Sequence, residues 1–150
     1  MKSFVALLAF AAFFAVSPVQ AEDKPDTPKA LSGGKVIGVE EAKKLADSRA
    51  AQFIDTRSPL NFGKGHVPGA KVAAYKEKSD FTPDFDASAD KFDLDKLPAD
   101  KSAKVVIYSD GPKGWKSYKA AVTAIKAGYK NVMWMRDGTT AWEAKGYPFE

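Results

Sequence analysis

Four consecutive residues, Val105-Val106-Ile107-Tyr108, set the architecture of this chain. Side chains alternate faces along a strand, so an unbroken apolar run leaves neither face for water. Such a strand belongs inside a parallel sheet that is covered on both sides. A short loop follows, and then Tyr118, Ala121, Val122 and Ile125 recur at helical spacing, with Gly128 as the stop. The helix is predicted to start near Ser117, and residues 132–135 read as the next strand. The same alternation is visible upstream. Val39, Ala42, Leu45 and Ala46 mark one face of a helix, and Phe53-Ile54 is a brief buried strand ending in Asp55. Ser58 followed by Pro59 is an N-cap and first-turn signature, and Val72-Ala73-Ala74 is a further short strand. Strands alternating with helices predict an α/β fold with a mostly parallel central sheet flanked by helices on both faces.

The first 21 residues read as an export signal rather than as part of this fold. Lys2 supplies the positive start, residues 4–16 are uniformly apolar, and Val19-Gln20-Ala21 ends in a small residue suited to cleavage. The apolar run falls short of the ~20 residues that a membrane span requires. The expectation is a periplasmic protein with no membrane attachment after cleavage. Residues 22–34 are polar, contain Pro and Gly and have no periodicity, so they read as a flexible tether to a domain at 35–150. Residues 76–104 form a charged insertion with two prolines and are expected to wrap the surface.

Composition removes several chemistries. The chain has no cysteine and one histidine, His66, which leaves no thiolate ligand, no thiol redox chemistry and no basis for a transition-metal site. The carboxylates of residues 80–100 lack the glycine and closing glutamate of a calcium loop, and no Gly-rich nucleotide loop is present. No cofactor is expected. The net charge of +4 is interspersed along the chain and gives no nucleic-acid footprint.

Three motifs, in this order, carry a family resemblance. They are Ile54-Asp55-Thr56-Arg57; Gly65-His66-Val67-Pro68-Gly69-Ala70; and the strand–loop–helix of residues 105–128 with Asp137-Gly138-Thr139-Thr140-Ala141-Trp142 behind it. Together they resemble the rhodanese (sulfurtransferase-like) domain over about residues 36–148. In that family one cysteine at the end of the strand takes a sulfane sulfur as a persulfide and passes it to an acceptor. The backbone amides of the loop and the start of the next helix hold the anion. The loop here, Ser109-Asp110-Gly111-Pro112-Lys113-Gly114-Trp115-Lys116, looks like a secreted subgroup with the pattern Cys-x-Gly-Pro-x-Cys-Trp, and Ser109 and Gly114 stand at the two cysteine positions. The resemblance therefore implies an anion-binding loop at Ser109 to Lys116, supported by Asp55, Arg57 and His66, in a sulfurtransferase scaffold without its nucleophile.

Ser109 cannot stand in for the thiol. A free cysteine ionises near about 8.5, whereas an aliphatic alcohol ionises well above the ~10 of a phenol. A helix N-terminus contributes at most ~2 kcal/mol, too little to close that gap. A hydroxyl also cannot form the sulfur–sulfur link of a persulfide. As a hydrolytic nucleophile Ser109 would need a base within reach, and His66 sits inside a turn where the resemblance makes it structural. Asp55 and Arg57 read as an ion pair that organises loops, Trp115 reads equally as a pocket wall or as packing, and Trp134 and Trp142 read as core. Two functions follow. One is a non-catalytic module that binds a small oxyanion, a sulfur-containing anion or a periplasmic protein; the other is an enzyme of altered chemistry that uses the Ser109–Lys116 loop.

Overall fold

The computed structural model describes residues 24–150; the signal sequence expected at 1–21 lies outside them. Five strands form one all-parallel sheet: β1 (Lys35–Val36), β2 (Gln52–Asp55), β3 (Lys71–Val72), β4 (Lys104–Tyr108) and β5 (Asn131–Met135), in the spatial order β1-β5-β4-β2-β3. The helices are α1 (Val39–Asp47), α2 (Pro59–Lys64), α3 (Trp115–Lys126) and α4 (Gly138–Ala144). The apolar run of residues 105–108 is β4, the central strand, and all four residues are buried. The register places Ile54, Ile107 and Trp134 side by side across the sheet, with Phe53, Val106 and Met133 in the adjacent row. Those two rows point to opposite faces and start two cores.

The core on one face is closed by α1 and α4, through Val39, Ala42, Ala141 and Trp142. The other is closed by α3 together with the 76–104 insertion, which differs from the surface wrapping expected of it. Phe85 and Leu97 are buried there, with Phe81, Phe92 and Leu94 packed around them. Two polar anchors hold the insertion down. Lys119, on α3 and fully buried, reaches Glu77 at 3.0 Å and the Ser79 carbonyl at 3.1 Å. Asp90 accepts bonds from the Tyr75 and Ser79 hydroxyls and from the amides of Lys78 and Ser79. Burial opposes ionisation of Asp90, but these donors outweigh it and hold its pKa down at about 2.

Two further elements differ from the sequence expectation. The described part of the tether, residues 24–34, is docked on the domain, with Leu31 in the core and Thr27 3% exposed. Helix α3 starts at Trp115 rather than Ser117, because the Ser117 hydroxyl is turned inward. It donates to the Gly114 carbonyl and accepts the indole N–H of Trp134, each at 2.9 Å. Among the described residues no helix is long and apolar enough to cross a membrane.

Candidate functional site

The carboxyl ends of β2 and β4 lie side by side, with Asp55 paired to Tyr108 in the register. Open parallel sheets place ligands at this end. At the end of β2, Arg57 forms a fork on Asp55: Nε lies 3.0 and 3.1 Å from the two carboxylate oxygens and a terminal nitrogen lies 2.7 Å from one of them. The same guanidinium donates to the Gly65 carbonyl at 2.7 Å, tying the pair to the turn that carries His66. Burial works against the charged guanidinium, yet hydrogen bonding and charge from Asp55 hold the Arg57 pKa above its ordinary value. Thr56 donates to the Tyr108 carbonyl, and the Tyr108 hydroxyl accepts the amide of Val67. Burial, with the Asp55 charge beside it, pushes the Tyr108 phenol well above its usual range.

His66 belongs to this frame and not to Ser109. Its ring stacks on Phe62 at 3.7 Å, its Nδ1 donates to the Phe62 carbonyl at 2.9 Å, and its Nε2 lies 3.7 Å from Glu150. No His66–Ser109 hydrogen bond exists. Asp55, Arg57 and the turn that carries His66 thus form one connected framework at the end of β2.

The loop after β4 is built differently. Ser109 is 2% exposed, and its Oγ is the one buried side-chain polar atom among the described residues with no hydrogen-bond partner. A tight turn lies over it. The Gly114 amide donates to the Gly111 carbonyl at 2.7 Å, with Pro112 at the second turn position, where its fixed φ fits. A Cβ at residue 114 would lie 2.8 Å from the Gly111 oxygen and 3.3 Å from Ser109 Oγ, so only glycine lets the turn close this far. The Trp115 amide is directed to the Lys113 carbonyl at 3.1 Å. Two amides of the expected anion cradle thus face carbonyls of the loop itself.

The floor of the loop is fixed by α4. The amides of Thr139 and Thr140 donate to the carbonyls of Ser109 and Asp110 at 3.0 and 2.9 Å, and the Thr140 hydroxyl adds a bond to Asp110. Gly138 adopts φ +57°, and a Cβ there would fall 2.4 Å from the Ser109 oxygen. Beside the loop lies a cleft of about 550 Å³ whose polar lining is Lys24, Asp26, Asp110, Lys113 and Thr140, with Gly114 also lining it. Lys116 is half-buried on the first turn of α3 and does not line the cleft. Trp115 is buried against Phe81 and Tyr118, so it packs rather than forming a pocket wall. A larger cleft of about 800 Å³ lies at the opposite, amino-terminal end of the strands, near Arg49, Gln52 and Lys104. Of the cleft residues, Lys24 and Asp26 carried no signal in the sequence because they lie in a polar, aperiodic segment.

A family model described as the rhodanese-like domain matches residues 38–145, a range that holds both strand ends, the His66 turn and the Ser109 loop. The chain belongs to the rhodanese-like domain family. Solved structures agree on the fold. The Alr3790 protein of Anabaena sp. shares 21% identity at a TM-score of 0.57, over 76% of this chain and 79% of its own. A polysulfide-sulfur transferase from Wolinella succinogenes shares 18% at 0.56, over 79% and 80%. A protein of unknown function from Rhodopseudomonas palustris shares 23% at 0.57, over 84% and 98%. No curated protein matches the chain. Identities this low carry the architecture and no more. In this rhodanese-like domain Ser109 follows the end of β4, in a chain without any cysteine.

Proposed function

We propose that this protein is an exported, periplasmic rhodanese-like module that does not transfer sulfur and instead binds a small oxyanion or a sulfur-containing anion at the 109–116 loop. One observation supports the reading: Ser109, where the resemblance places the family's nucleophile, has a buried, unpaired hydroxyl next to Gly114, a residue that lines the cleft. A buried hydroxyl without a partner costs about 1–3 kcal/mol, which a ligand oxygen reaching it would return. Lys24 and Lys113 bring two positive charges to the cleft and Asp26 and Asp110 two negative ones, so the lining offers cationic donors without net charge. Affinity is accordingly modest, on the order of millimolar to micromolar, and weakens with added salt.

Titration with sulfate or thiosulfate, followed by amide chemical shifts, tests this. Perturbation concentrated at residues 109–117 and at the cleft residues Lys24, Asp26 and Thr140 is expected. Lys24→Glu should reduce binding more than Lys126→Glu, at the far end of α3. If neither anion moves these resonances at millimolar concentration, in the parent chain or in one carrying Thr27→Val and Arg136→Ala, the loop is vestigial and a protein partner on another surface becomes the better reading. Export has its own test: intact mass of protein from the periplasm should correspond to a chain beginning near Glu22, and a mass retaining residues 1–21 would contradict it.

A further inference from the structure

The segment that enters the domain from the N-terminal side is fastened to the site loop by its backbone. At the tip of the 111–114 turn, the Pro112 carbonyl accepts both the amide and the hydroxyl of Thr27. One residue beyond the turn, the indole N–H of Trp115 donates to the Pro25 carbonyl at 2.8 Å. From the end of β5, the Arg136 guanidinium donates to the carbonyls of Thr27 and Pro28, each at 2.9 Å. Leu31, 6% exposed, anchors the far end of the segment in the core. These bonds grip the turn at its tip and at its exit, and the closed turn places Gly114 over the Ser109 hydroxyl.

We propose that residues 25–31 are a latch: they hold the 111–114 turn shut over Ser109, and the site opens only when the latch is released. Two facts favour a latch over a permanent part of the fold. The segment from 25 to 30 contributes no residue to either hydrophobic core, and what fastens it to the loop and to Arg136 is hydrogen bonds. Pro25, Asp26, Lys29 and Ala30 are exposed, leaving it accessible to whatever would draw it away. Segments held by few apolar contacts open at lower free energy than the core. The amides of Gly114 and Trp115, now directed to loop carbonyls, would become available to a ligand when the turn opens. The latch thus gates the site whichever anion the loop takes.

Because the chain has no cysteine, Ser109→Cys supplies a single thiol as a reporter of access. Its alkylation by iodoacetamide is measured in an otherwise unchanged chain and in one also carrying Thr27→Val and Arg136→Ala. The rate should be far below that of the urea-unfolded chain in the first, and on the order of tenfold higher in the second, which loses three hydrogen bonds of the latch. Hydrogen exchange at residues 110–116 should quicken in parallel while β4 stays protected. Should the double substitution unfold the protein, Thr27→Val alone serves, with a smaller rise. Alkylation unchanged when the latch bonds are removed, or already as fast as in the unfolded chain, would overturn the proposal. No anion takes part in this assay, so the latch and the binding reading can fail separately.

Discussion

The ends of β2 and β4 are neighbours in the sheet and opposite in their polar accounting. At the end of β2 every buried polar group is matched: Asp55 to Arg57, Arg57 to Gly65, Thr56 to the Tyr108 carbonyl. At the end of β4 the backbone is equally well held, by Thr139 and Thr140, yet the one side chain at the centre, Ser109, is left unpaired. The first region is what the scaffold needs in order to stand, and the second is where we propose that an anion binds. The framework is complete in a chain without a cysteine.

The largest effect that could break this contrast comes from Arg57. Arg57→Ala strands a fully buried Asp55 carboxylate and should destabilise the fold by about 3–5 kcal/mol. Ser109→Ala removes an unpaired hydroxyl and should stabilise the fold by about 1–3 kcal/mol, less the packing of one buried atom. Urea denaturation of both variants measures the difference. Comparable losses in the two would show that Ser109 is framework after all.

A smaller effect tests the floor of the loop. Gly138→Ala combines a left-handed backbone with a Cβ 2.4 Å from the Ser109 carbonyl oxygen, and should cost about 1–3 kcal/mol. Thermal unfolding reads the loss, and hydrogen exchange should show it concentrated at residues 109–111. A uniform loss across the sheet would separate α4 from the loop it is argued to support.

The smallest effect concerns the insertion. The Asp90 carboxyl is held at about 2, below the ~3.9 of an unfolded chain. Its contribution is therefore fully present above about pH 4 and is lost as pH falls through about 2. Asp90→Asn should flatten the acid side of the stability profile and leave the neutral side parallel to the parent. A profile unchanged in shape would remove Asp90 as the anchor of residues 76–90.

The parts legible in the sequence are those with repetition or contiguous motifs. The run at 105–108 announces a central parallel strand because both of its faces must be covered. Asp55, Arg57, His66 and Ser109 are legible through the motifs that contain them. The latch and the insertion were not, for a common physical reason. Each is fixed by isolated apolar anchors (Leu31, Phe85, Leu97) in otherwise polar sequence, and by donors such as Thr27 and Arg136 whose partners are backbone carbonyls. A bond to a carbonyl can be made against any residue, so it leaves no pattern to read. The early start of α3 was hidden in the same way, because Ser117 looks like a cap and acts as a buried link to Trp134.

The central claim is that this rhodanese-like fold has lost sulfur transfer with its thiol. Thiocyanate formation from thiosulfate and cyanide by the purified protein tests it most directly. The account predicts no rate above the uncatalysed background for the parent chain and for Ser109→Ala alike. Turnover in the parent that disappears in Ser109→Ala would contradict it.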